Sequence, residues 1–184
     1  MRAQFNKLIT NKKSAVIITT ASPKKELNPF AIQARVDLES MGFGQVTFLD
    51  VEKEPIDSLR DVDVIYISGG NPYVLLHHLR ESGADQLLRN IANEDVIIVG
   101  VSAGAVVLGS SIRIVEWFSP ALNTIDIKDF TGIQLFDFSI LPHADRKDLF
   151  VFADSIEDRI IAFEKASGEQ VLRLADDEFK FIGI

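Results

Sequence analysis

Residues 100–104 read Gly-Val-Ser-Ala-Gly, a glycine-flanked serine that follows the apolar run Val96-Ile97-Ile98-Val99 and precedes the small apolar residues Ala105-Val106-Val107. A serine set in G-x-S-x-G on a sharp strand-to-helix turn presents its hydroxyl at the tip. The glycines admit a close backbone approach that a larger side chain would block. This is the layout of a nucleophile elbow, with Ser102 as the nucleophile. The same residues would also suit an ordinary turn in which Ser102 caps the helix, so the base and the oxyanion donors must separate the two readings.

Only three histidines exist, at 77, 78 and 143. His77 and His78 fall within a helical pattern, where adjacent residues point to different faces, and they read as one packed and one solvated side chain. His143 instead follows the strand-like Phe138-Ser139-Ile140-Leu141 through Pro142, downstream of the serine, and is the better general base. The third member of a triad is less defined. In chain order Ser, acid, His, as in α/β-hydrolases, the acid lies between Ser102 and His143, where Glu116, Asp126, Asp129 and Asp137 are available. Glu116 is favoured, because Ile112-Arg113-Ile114-Val115 reads as a short strand that would deliver it to the site. Gly69-Gly70-Asn71-Pro72 supplies the remaining part. Asn71 is a good helix N-cap, Pro72 suits the first turn, and the Gly70 N–H paired with that of Ala103 would form an oxyanion hole.

These residues need a scaffold that gathers distant positions at one edge. Ala15 to Thr20, Val64 to Ile67 and Val96 to Val99 are unbroken, β-branched runs of the kind found in strands buried on both faces. Helical patterns lie between them, with Phe30, Ala34, Leu38 and Met41 on one face of the first and Leu75, Leu76 and Leu79 on one face of the second. Alternation of strand and helix implies a doubly wound α/β fold, a mostly parallel sheet flanked by helices, in which ligands bind beyond the carboxyl ends of the strands. Gln45 to Leu49 and Phe138 to Leu141 read as further strands. Asp154 to Lys165 reads as a helix with Ile156, Ile160, Ile161 and Phe163 available to the core. Glu169 to Leu174 and Phe179 to Ile182 read as two strands around a tight turn at Asp176-Asp177.

Composition narrows the function. With 184 residues, 47% of them hydrophobic, the chain suits one domain spanning 1–184. A net charge of -8 leaves no basic stripe for nucleic acid or anionic membrane. No apolar run is long enough to span a bilayer, and the N-terminus lacks a signal-peptide core, which reads as a cytoplasmic protein. The chain has no cysteine, which excludes disulfides, thiolate metal sites and a cysteine nucleophile. Glutamine amidotransferases are similar in layout but carry cysteine at the elbow, so serine here points to hydrolysis.

Three segments together resemble the serine peptidase family that contains aspartyl dipeptidase (peptidase E) and cyanophycinase: Asp63 to Asn71, Gly100 to Ala105, and Leu141-Pro142-His143. The resemblance implies a flavodoxin-like or class I glutamine amidotransferase-like sandwich. It also implies Ser102 as nucleophile, His143 as base, Gly70 and Ala103 as oxyanion donors, and hydrolysis of short peptides without metal or organic cofactor, by a monomer or homodimer. Asn71 and Arg113 are candidate substrate contacts. Trp117 stands where peptidase E has its triad aspartate, with Glu116 beside it. Ile156 stands where the family carries an arginine for the substrate carboxylate, so aspartate selectivity is not implied unless Arg113, Arg146 or Arg159 substitutes. Family members also have a strand before the segment that resembles Met1 to Lys12, which implies a sheet one strand short. A related esterase or amidase, and a degenerate member that binds a peptide or metabolite without turnover, are the alternative readings.

Overall fold

A computed structural model describes residues 13–183. The expectation of a missing first strand concerns residues 1–12 and lies outside the described residues. Four parallel strands, β1 (Ser14–Ile18), β2 (Gln45–Leu49), β3 (Val64–Ile67) and β4 (Ile97–Gly100), form a sheet in the order β2-β1-β3-β4. The helices between them are α1 (Pro29–Ser40), α2 (Pro72–Glu81) and α3 (Ala84–Ile91). After β4 come α4 (Ala103–Leu108) and α5 (Ile114–Phe118). A second parallel pair, β5 (Ser139–Pro142) and β6 (Val171–Leu174), is linked by α6 (Ile156–Ser167).

Local chemistry sets the helix starts. Asn28 and Asn71 cap α1 and α2, accepting from the backbone N–H of Phe30 and Tyr73, with proline at the first helical position in both. Ser155 caps α6, which stops at Gly168 in the left-handed conformation, where glycine carries no steric penalty. Alternation along β1 then sorts the core into two layers. Val16 and Ile18 pack with Leu75, Leu76 and Leu79 of α2 and with α3, α4, α5 and α6. Ala15 and Ile17 pack with Ala31, Ala34 and Leu38 of α1. This is the α/β sandwich that the strand and helix alternation implies.

Five local expectations are corrected. Phe30 is exposed and Ala31 takes its place against the sheet, since the buried stripe of α1 runs Ala31, Ala34, Leu38 at the spacing of one helix face. Ile161 of α6 is likewise exposed while Ile156, Ile160 and Phe163 are buried, as a 3.6-residue period requires. Residues 112–115 do not form a strand. The Ser111 hydroxyl accepts from the Arg113 N–H at 3.0 Å, and helix α5 begins directly after it. Finally, β4 ends the strand order and is only partly buried, and residues 179–182 form no strand. Phe179 and Phe181 there meet edge to face.

Candidate active site

The elbow is tight. Ser102 has φ 51° and ψ −115°, a combination that non-glycine residues rarely adopt and that marks functional turns. The space around it exists only because its neighbours lack side chains. A Cβ on Gly104 would lie 2.0 Å from the Ile67 carbonyl oxygen, and one on Gly100 would lie 2.7 Å from the Gly104 oxygen. A Cβ on Gly69 would stand 3.0 Å from Ser102 Cβ, so the two glycine motifs meet in space. Gly70 has φ +148°, and a Cβ there would lie 2.2 Å from the Ala21 carbonyl oxygen. Among the described residues neither the Gly70 N–H nor the Ala103 N–H donates to a protein acceptor. Two free backbone donors therefore flank the serine.

The histidine expected as base comes from the other pair of strands. His143 directly follows β5, with φ 61°, and its Nε2 lies 3.0 Å from Ser102 Oγ. Its Nδ1 lies 2.5 Å from Asp176 Oδ1. Since a carboxylate only accepts, Nδ1 carries the proton and Nε2 faces the serine as the acceptor. Asp176 reaches this position because β5 and β6 run parallel with Pro142 opposite Leu174, so the residues just beyond both strands emerge side by side. The Ala144 N–H donates to the Leu174 carbonyl at 3.0 Å and the Asp176 N–H to Asp145 Oδ1 at 3.1 Å. His143 and Arg146, both donating to its carboxylate, hold Asp176 below the usual carboxylate range.

The acid expected from the sequence is elsewhere. Glu116 sits on α5 and accepts a 2.5 Å hydrogen bond from the hydroxyl of fully buried Tyr73. Burial first, and this bond second, push the Tyr73 phenol up. Asp126, Asp129 and Asp137 do not bond His143 either. Asp126 pairs with Lys128, and Asp129 with Arg80. Asp176 falls outside the Ser, acid, His chain order, which places the acid between Ser102 and His143. The available signal was an acidic pair directly after the apolar strand Val171 to Leu174, the same placement that singled out His143.

The candidate substrate contacts fare differently. Asn71 is occupied as the cap of α2, and its Nδ2 donates to the Leu122 carbonyl at 2.7 Å. Arg113 faces Glu169, 3.9 Å away, and Glu169 accepts from Ser139 at the start of β5. That is the opposite end of the strand from His143, about 13 Å away at the usual rise per residue. Arg113 therefore does not reach the site. Arg146 is engaged by Asp148 and Asp176. Arg159 lies in the first turn of α6, its guanidinium 3.9 Å from the centre of the Phe152 ring and its Nε donating to the Trp117 carbonyl. His77 and His78 contact each other edge to face on α2 and do not bond Ser102. Among the described residues no group of three or more His, Asp or Glu side chains could hold a metal ion, and no helix is long and apolar enough to cross a membrane.

Comparison with known proteins gives a consistent picture. The model of peptidase family S51 matches residues 1–181. An uncharacterized peptidase of Listeria monocytogenes is 29% identical over 174 residues, covering 92% of this chain and 82% of that relative. Peptidase E of Escherichia coli is 24% identical over 135 residues, covering 73% of this chain. The chain spans only 57% of the length of that relative. Among solved structures, a Listeria monocytogenes protein provisionally assigned to peptidase E aligns with a TM-score of 0.71 at 27% identity, over 96% of this chain and 85% of its own.

Proposed function

This chain belongs to peptidase family S51, and on that footing we propose that it is a serine peptidase of short peptides whose acyl-enzyme forms on Ser102. The observation that carries this reading is the continuous path from Ser102 Oγ to His143 Nε2 and from His143 Nδ1 to Asp176 Oδ1, at 3.0 and 2.5 Å. As Oγ attacks the scissile carbonyl carbon, His143 Nε2 takes its proton. Asp176 keeps the imidazole in the required tautomer and stabilises the imidazolium that forms. The carbonyl oxygen, now negative, is received by the free N–H groups of Gly70 and Ala103. His143 then gives the proton to the departing amine, the C–N bond breaks, and a water activated by the same imidazole releases the acid product.

A neutral short peptide is the substrate we favour. Ile156 is buried in the core and supplies no charge for a substrate carboxylate. Arg159 is the one arginine among the described residues with no carboxylate within 4.0 Å, and it would have to carry any acidic preference. The direct test is labelling with a fluorophosphonate followed by mass spectrometry. A single adduct on Ser102 that disappears in Ser102→Ala and is strongly slowed in His143→Ala supports the reading. Absence of labelling in folded protein overturns it.

A further inference from the structure

The acid of the relay is itself held by a second charged pair. Arg146 Nη1 donates to Asp176 Oδ2 at 2.6 Å, while Asp176 Oδ1 is taken by His143. The other side of the same guanidinium meets Asp148 in a two-pronged contact, Nε to Oδ1 at 2.8 Å and Nη2 to Oδ2 at 2.7 Å. Such a fork fixes a guanidinium plane as a single contact cannot. Segment 144–149 is anchored as well, because the Arg146 N–H donates to the His143 carbonyl at 2.9 Å and the Phe150 N–H to the Arg146 carbonyl at 3.1 Å. One short turn after β5 thus carries both the base and the cation that holds the base's partner.

We propose that Arg146, braced by Asp148, is a positioning residue of this reaction: a guanidinium clamp that fixes the Asp176 carboxylate toward His143 and balances its charge. The proposal rests on the serine peptidase reading. Its geometric content is that both oxygens of Asp176 are occupied, which leaves the carboxylate no second orientation. Its electrostatic content is that a positive charge stands behind the carboxylate that meets the imidazole, so the charges of Arg146 and Asp148 act on His143 with opposite sign. Asp148 shares that positive charge and, with Arg146 donating to it, is held down to about 2. The groups that meet the His143 ring are Ser102 from the start of α4 and Asp176 from the end of β6, with Arg146 and Asp145 one contact further out through Asp176 and Asp148 beyond Arg146.

Charge and geometry predict distinct effects. The rate of fluorophosphonate labelling at Ser102, followed against pH, reads the relay without requiring the natural substrate. Removing the cation in Arg146→Met should raise the midpoint of the acid limb by about half a pH unit and slow labelling on the plateau by about tenfold. Removing the neighbouring anion in Asp148→Asn should move the midpoint the other way while also slowing the plateau. Arg146→Lys keeps the charge and loses the fork, so it should keep the parent midpoint and recover only part of the rate. General loosening of the turn would slow all three variants with no shift of the midpoint, or with shifts of one sign, and either result overturns the clamp. A parent chain that does not label at all overturns the serine peptidase reading, and the clamp with it.

Discussion

Ser102 and its two backbone donors are held by steric exclusion, whereas His143 and Asp176 are held by charge. The first group hangs on the four-stranded sheet, where Gly100, Gly104 and Gly70 each sit closer to a backbone atom than any Cβ tolerates. The second group hangs on the separate β5-β6 pair, where His143 and Asp176 are about one third exposed and the holding contacts are ion pairs and hydrogen bonds. Packing resists salt and pH and tolerates no added atom. Ion pairs at partly exposed positions tolerate substitution but respond to salt and titration. The candidate site is therefore a junction between a rigid half and a tunable half.

The largest expected effect is on the nucleophile. Ser102→Ala should fold normally and lower kcat by about a thousandfold or more, with His143→Ala close behind and the double variant little worse, since residues acting as a unit are not additive. Asp176→Asn comes next. It should lower kcat by about a hundredfold or more while leaving the melting temperature nearly unchanged, because an amide at 176 no longer selects the tautomer with Nε2 free to accept. Near-parent turnover in Asp176→Asn would reduce the relay to Ser102 and His143 alone.

On the rigid half the expected loss is one of folding. Gly104→Ala places a methyl group against the Ile67 carbonyl and should destabilise the fold by about 3 kcal/mol, readable by chemical denaturation. Stability close to the parent's would mean that the elbow can yield, and the contrast between the two halves would fail. Specificity should show a smaller difference. Peptides beginning with aspartate should exceed neutral ones by no more than about tenfold in kcat/KM. A larger preference that vanishes in Arg159→Met would assign the missing arginine's role to α6. The smallest effect is expected for Glu116→Gln, which should change kcat by less than about threefold and act mainly on the Tyr73 contact, at about 1 kcal/mol. A loss as large as that of Asp176→Asn would return Glu116 to the relay.

Local pattern made much of this legible. The elbow, the paired glycines, the cap at Asn71 and the β-branched runs of the parallel strands all depend on residues within a few positions of one another, and the periodicity of the strand and helix residues reports burial directly. Phe30 and Ile161 depart from the expectation because neighbouring apolar residues on a helix compete for one face, and the 3.6-residue period of the buried stripe decides between them. Residues 112–115 escaped it because a short apolar run suits a strand or a helix equally, and the Ser111 hydroxyl contact selects the helix.

What the sequence alone determined was the chemistry on offer: a serine poised on a turn, one histidine at a strand end, no cysteine, and backbone donors freed by glycine. Tertiary structure decided which carboxylate meets His143. Glu116 and Asp176 are both carboxylates beside apolar segments, and although Asp176 follows a strand end, nothing local says which other strand end it meets. The parallel pairing of β5 with β6, with Pro142 opposite Leu174, brings Asp176 to His143 across 33 residues of chain, while the buried Tyr73 hydroxyl draws Glu116 away. Strand register is a long-range property, set by which apolar faces meet in the core, and a carboxylate's role follows from the register rather than from its own neighbours in the chain.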